Sequence, residues 1–159
     1  AELLAYEGVG ETAAARIQAA FGMANQLRKK DVQERFVIRS PQDGAECFRY
    51  LEGEMQENVV AAFLNTKNQV IGRKEIFKGS LNASVLHPRE TFKEALKLSA
   101  ASMIIGHNHP SGDPNPSFED IQATQRLSEV GKLVGIEILD HIIIGENGRF
   151  TSLKEKGHV

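Results

Sequence analysis

His107-Asn108-His109-Pro110-Ser111-Gly112-Asp113-Pro114-Asn115-Pro116-Ser117-Phe118-Glu119-Asp120 follows directly on the apolar run of residues 101–106. A short apolar run bounded by turn residues reads as a buried strand, and side chains two positions apart on a strand point to the same side. His107 and His109 therefore leave the strand end in one direction. The prolines and Gly112 make the next segment rigid and sharply turned, and Ser117 then opens a helix. Strand, tight loop and helix in succession are the unit of an α/β fold. Two imidazoles with a carboxylate returned to them by the loop make three corners of a metal site. The fourth corner is left to water, the arrangement of a catalytic zinc.

Two acids compete for the third corner. Asp113 lies in the tight turn, where such a side chain commonly bonds its own backbone. Asp120 stands one turn into the helix, where the backbone holds its rotamer, but Ser117-Phe118-Glu119-Asp120 also fits a capping box that draws on the same lone pairs. Chemistry alone places Asp120 ahead of Asp113 without removing the latter.

The rest of the chain extends the same alternation. Ser40-Pro41 reads as a cap followed by a first-turn proline, with Ala45, Phe48 and Leu51 on one face and Gly53 as the stop. Residues 58–66 are too uniformly apolar for a half-exposed strand, and Lys67-Asn68 turns the chain into a second strand over 69–77. A helix is expected over 88–100 with Phe92, Ala95, Leu96 and Ser99 on one side, and another over 117–133 with Ile121, Leu127 and Val130 inward. A β-branched strand over 136–144, interrupted by Asp140-His141, and a short edge at 150–153 complete an α/β fold with a mixed sheet flanked by helices.

The N-terminal part has a different pattern. Helical periodicity over 3–27 is broken by Gly8-Val9-Gly10, with Thr12 as a cap and Ala13, Ile17, Ala20 and Phe21 as an apolar stripe. This resembles the second half of a helix-hairpin-helix: 1–30 reads as a partial helix-hairpin-helix, the charged 31–36 as a linker, and 37–159 as the main domain. Hairpin amides at a helix N-terminus can hold a phosphate, and Arg16, Arg28, Lys29 and Lys30 follow, so DNA is a candidate partner there. Glu2, Glu7 and Glu11 around the turn weigh against it.

With 159 residues, 41% of them hydrophobic, the chain can bury a full core, and a net charge of -2 gives no global attraction for nucleic acid or an acidic membrane. Cys47 is the only cysteine, so an intrachain disulfide and a thiolate zinc site are both excluded and a reducing, cytoplasmic setting is expected. No apolar run approaches a membrane span, and the N-terminus lacks the charged-then-apolar pattern of a signal peptide; no membrane partner is expected. The chain starts at Ala1 without methionine, as a fragment or processed chain would. Nothing in the sequence fixes an oligomeric state.

His107, His109, Ser117 and Asp120 match, without a gap, the His-x-His-x7-Ser-x2-Asp pattern of the JAMM/MPN+ metalloproteases, and the form His-Asn-His-Pro-Ser-Gly-Asp-Pro resembles the bacterial RadC branch of that superfamily. Gly79-Ser80-Leu81-Asn82, His87-Pro88-Arg89-Glu90 and Leu139-Asp140-His141-Ile142-Ile143 extend the resemblance over about 35–157. It implies a JAB/MPN domain, a cytidine-deaminase-like α-β-α sandwich, with Zn2+ held by His107, His109 and Asp120 and with Asp113 left to the loop. It also singles out Glu57, directly ahead of the first hairpin strand, from Glu46, Glu52, Glu54, Glu75 and Glu90 as the proton acceptor for the attacking water. Ser117 would steady the oxyanion and is not expected as a nucleophile. The implied activity is zinc-dependent hydrolysis of an amide or isopeptide bond in a protein or peptide substrate. The DNA-repair label of RadC-like proteins suits the hairpin.

Three other readings fit less well. An HNH nuclease spreads its named residues through a ββα module, whereas His107-Asn108-His109 is contiguous. A zinc nucleobase deaminase needs a Pro-Cys-x-x-Cys that one cysteine cannot supply. A scaffold that had lost catalysis would lack motif residues, and all are present. Of the other histidines, His87 reads as structural at a helix start, Asp140-His141 as a hydrogen-bonded pair at the sheet end or behind the ligands, and His158 carries no inference.

Overall fold

The computed structural model describes residues 6, 8–33, 36–79 and 87–159. The chain divides into two compact units, 1–35 and 36–159.

In the first unit a turn closes with the Val9 amide donating to the Tyr6 carbonyl (3.1 Å), and Gly8 at φ +87° supplies the left-handed step. Helix α1 (Glu11–Gln33) follows, and the Ala14 amide bonds back to the Gly10 carbonyl. The short helix expected before the turn falls largely outside the described residues. Two expectations change here. α1 continues to Gln33, into the 31–36 stretch whose charge density suggested a linker, because charge alone does not break a helix. Ala20 and Phe21 are exposed, Phe21 at 69%, and Ala14 is the buried residue of the described helix surface.

The second unit is built on one mixed sheet. Its described strands are β1 (Glu57–Leu64), β2 (Val70–Gly79), β3 (Ser102–Asn108), β4 (Glu137–Ile144) and β5 (Phe150–Ser152), in the spatial order β2-β1-β3-β4-β5. β1 runs antiparallel to both β2 and β3, β3 is parallel to β4, and β4 is antiparallel to β5. The parallel pair requires a crossover, which α4 (Phe118–Val134) provides. β1 and β3 occupy the middle of the sheet with both faces covered, which is why their sequences read as continuous apolar runs.

Helices cover both faces. α2 (Pro41–Phe48) lies on one, where Phe48 and Leu51 pack with Val60, Leu64, Ile104 and Ile142. α3 (Pro88–Lys97) and α4 lie on the other, where Phe92 and Leu127 pack with Phe63, Met103 and Ile105. The expected α-β-α arrangement is what the chain adopts. α2 begins as its sequence requires: the Ser40 hydroxyl accepts from the Asp43 amide (3.2 Å) ahead of Pro41. α4 ends at Gly135, in the left-handed region at φ +77°. One helix face differs from expectation: α3 buries Thr91, Phe92 and Ala95, so Leu96 (59% exposed) and Ser99 fall outside the contact.

Candidate metal centre

β3 carries His107 to the end of the sheet on the α4 face, since its antiparallel partner Val59 packs into that core with Ile105. His107 is wholly buried; His109, just past the strand, is partly covered. The loop after it is folded to aim this second ring. The Gly112 amide bonds to the His109 carbonyl (2.9 Å), Gly112 adopts φ +72°, and His109 Nδ1 lies 2.7 Å from the Asp113 carbonyl. A carbonyl only accepts, so Nδ1 carries the hydrogen and Nε2 of the neutral ring is left with a lone pair. Asp113 thus takes part through its backbone, while its carboxylate bonds the Asn115 amide (3.2 Å) and side chain (3.0 Å) within the turn.

α4 returns Asp120. Ser117 and Asp120 form a complete capping box: the Ser117 hydroxyl accepts from the Asp120 amide (3.1 Å), and Asp120 Oδ2 accepts from the Ser117 amide (2.7 Å). The capping and site roles, which compete on paper, are filled together because the carboxylate has four lone-pair sites. Oδ1 lies 3.4 Å from His107 Nε2 and Oδ2 lies 3.3 Å from His109 Nε2, with the two Nε2 atoms 2.9 Å apart. Glu57, at the start of β1, completes a group whose ligand atoms all lie within 4.8 Å of one another.

These spacings fit a cation. Zinc bonds to nitrogen and oxygen of about 2.0–2.1 Å in a tetrahedron imply ligand-to-ligand edges of about 3.3 Å, near the separations found here. The donor set fits as well: two imidazoles and a carboxylate, converging where two Nε2 atoms face one another. The electrostatics are those of a site built for positive charge. Burial works against the Asp120 carboxylate, but the close imidazoles of His107 and His109 and the Ser117 hydroxyl override it and hold the group far below the usual carboxylate range. The bond to Asp120 raises His109 above the ordinary histidine value, against the effect of burial, and the charge of Glu57 adds to the rise.

Ser117, exposed as a residue, has its hydroxyl 2.7 Å from Asp120 Oδ2. Asn108, between the two histidines, carries a role that its sequence position does not announce. Its Oδ1 accepts from the Asn58 amide (3.0 Å), and its Nδ2 donates to the Glu54 (3.2 Å) and Gln56 (3.1 Å) carbonyls, so it fastens the segment that bears Glu57. The signal was a polar residue flanked by buried ones, and an asparagine beside two histidines draws no notice. Asp140 and His141 are both buried. Asp140 accepts from Ser152 Oγ (2.6 Å), the His141 amide (2.7 Å) and the Lys154 amide (3.0 Å), whereas the His141 ring lies 2.7 Å from His107 Nδ1. Burial, and then the neighbouring His107, push His141 well below the ordinary histidine value.

Residues 38–158 match the model of the RadC-like JAB domain. A UPF0758 protein of Geobacillus sp. (strain WCH70) is 56% identical over 162 residues, covering 99% of this chain and 70% of that protein. Counterparts in Geobacillus thermodenitrificans (strain NG80-2) and Bacillus cereus (strain AH187), at 55% and 54% identity, have the same coverage. With a matching domain model over most of its length and relatives of this similarity, the chain belongs to the RadC family of JAB-domain proteins.

Proposed function

We propose that the chain is a zinc-dependent hydrolase of amide or isopeptide bonds in a protein or peptide substrate. The observation that carries the reading is the convergence of His107 Nε2, His109 Nε2 and the Asp120 carboxylate at tetrahedral spacing, with Glu57 beside them. In this reading His107, His109 and Asp120 hold the ion. Zinc bound there would supply Lewis acidity, lowering the pKa of a water toward about 7 and polarising a carbonyl.

Glu57 accepts the proton as the water oxygen bonds to the carbonyl carbon, and it delivers that proton to the amine nitrogen as the C–N bond breaks. The Ser117 hydroxyl turns its hydrogen from Asp120 Oδ2 toward the oxyanion. Ser117 is no nucleophile, because the carboxylate at its side is held too acidic to serve as its base. Metal analysis of the purified chain should find about one zinc, lost in His109→Ala, and peptide hydrolysis that requires the ion. A wild-type chain that takes up no zinc would overturn the reading.

A second reading, DNA binding by the first unit, rests on the turn at Gly8 that feeds α1. It makes residues 1–30 a partial helix-hairpin-helix, and it fits a DNA-repair role in which the domain over 37–159 is a regulatory or nuclease-associated module. A salt-dependent shift of labelled DNA that survives removal of residues 1–30 would overturn it. A cytoplasmic setting is proposed from the lone, buried Cys47. Among the described residues no helix is long and apolar enough to cross a membrane.

A further inference from the structure

We propose that Thr124 and His141 form a buried relay that fixes the proton of His107 on Nδ1 and turns its Nε2 lone pair into the metal site, which makes His141 a positioning residue. The inference rests on the metal reading above, which it deepens.

The relay is a matter of donor and acceptor counting. Thr124 Oγ1 lies 2.6 Å from the Asp120 carbonyl and 2.6 Å from His141 Nδ1. A ligating His107 gives its Nε2 lone pair to the cation and must donate from Nδ1 to His141 Nε2, so a neutral His141 carries its hydrogen on Nδ1 and donates it to Thr124 Oγ1, whose own hydrogen goes to the Asp120 carbonyl. His141 Nδ1 is therefore the protonated nitrogen. The ring is buried, and the carboxylate next in sequence, Asp140, spends its oxygens on Ser152 and two backbone amides, so the ring stays neutral. His141 Nε2 is then an acceptor, and at 2.7 Å it takes the hydrogen of His107 Nδ1. Neutral His107 keeps a lone pair on Nε2, the atom that faces His109 and Asp120.

Sheet geometry delivers His141 to this post. Met103 pairs with Ile138 but Ile104 pairs with Asp140, so Leu139 is an extra residue in β4. Side chains alternate along a strand, and the irregularity reverses the alternation. His141 thereby comes to pair with Ile105 on the α4 face, beside His107, and Asp140 points to the opposite face. The relay also ties α4 to the sheet at the turn that carries Asp120, so one hydroxyl couples two members of the centre.

The test compares ring-nitrogen tautomers, read from long-range 1H–15N spectra of the metal-free chain, with zinc affinity in wild type, Thr124→Val, His141→Phe and His141→Gln. Wild type should show His107 and His141 both protonated on Nδ1. His141→Phe should bind zinc about 10–100-fold more weakly, the range for losing a partner behind a metal-ligating histidine. His141→Gln, whose amide oxygen can accept from His107 Nδ1, should recover most of that loss. Thr124→Val, close in shape to threonine, should release the Nδ1 preference of His141 even if His141→Phe fails to fold. The relay is overturned by a wild-type His107 protonated on Nε2, or by folded His141→Phe with wild-type zinc affinity. Because the tautomers are read without metal, a wild type that takes up no zinc overturns the metal reading and leaves the relay to be decided by its own spectra.

Discussion

Val59 and His107 are antiparallel partners across β1 and β3, and this one register relationship assembles the centre. Glu57 stands two residues before Val59 and His109 two residues after His107, so alternation turns all four side chains to one side of the sheet. A slip of one residue would send the glutamate to the α2 face. Asn108 guards against that slip by bonding the Asn58 amide directly.

Glu57→Gln should retain the ion and lose the reaction. The substitution keeps shape and removes the proton acceptor, and general-base removal costs about 10²–10⁴-fold in kcat. Steady-state peptide cleavage alongside metal content checks it. Loss of zinc in the variant would instead make Glu57 a ligand.

Zinc should stabilise the chain more at about pH 8 than at about pH 6. In the metal-free chain His109 is raised above 6.5, so its bond to Asp120 contributes stability below that value and loses it as pH rises through the raised one. Asp120 is depressed below 3.8, so its contribution is present above that value and is lost only as pH falls toward its folded one. Raising the pH therefore weakens the metal-free pairing and frees the His109 lone pair for the ion. Thermal unfolding with and without zinc at the two pH values reads the difference.

Asn108→Ala should lower activity more than zinc affinity. It leaves the Asn58 amide and the Glu54 and Gln56 carbonyls without their partner, at a cost of about 1–3 kcal/mol, and it frees the segment that carries Glu57 while leaving the histidines on their strand. Denaturant midpoints, zinc titration and kcat measured on one preparation separate the three effects.

Gly106→Ala should destabilise by about 1–3 kcal/mol, the usual cost of overpacking. A methyl group there would run into the ring of Phe48, which is fully buried against the strand. A shift in the thermal midpoint with unchanged zinc stoichiometry would show that the glycine serves packing.

Much of the second unit was legible because its signals are local. The Ser40-Pro41 start, the Lys67-Asn68 turn, where Asn68 sits at φ +55°, and the Gly135 stop are each decided within a few residues. Leu96 and Phe21 were misread for a related reason: periodicity says a helix has an apolar side, but the width of the side that meets the core depends on the surface packed against it.

By itself the sequence determined the α/β class, the strand-loop-helix unit and the His-x-His and Ser-x2-Asp spacings, because alternation, proline-rich turns and helix caps act over short distances along the chain. It could not tell Asp113 from Asp120 by chemistry, nor give Glu57 any distinction among the glutamates. Tertiary structure alone brought Glu57, His107, His109 and Asp120 within reach of one another, showed that Asp113 aims His109 through its carbonyl, and set His141 behind His107. Those relations depend on strand register and on one irregularity in β4, which are fixed by packing between segments tens of residues apart.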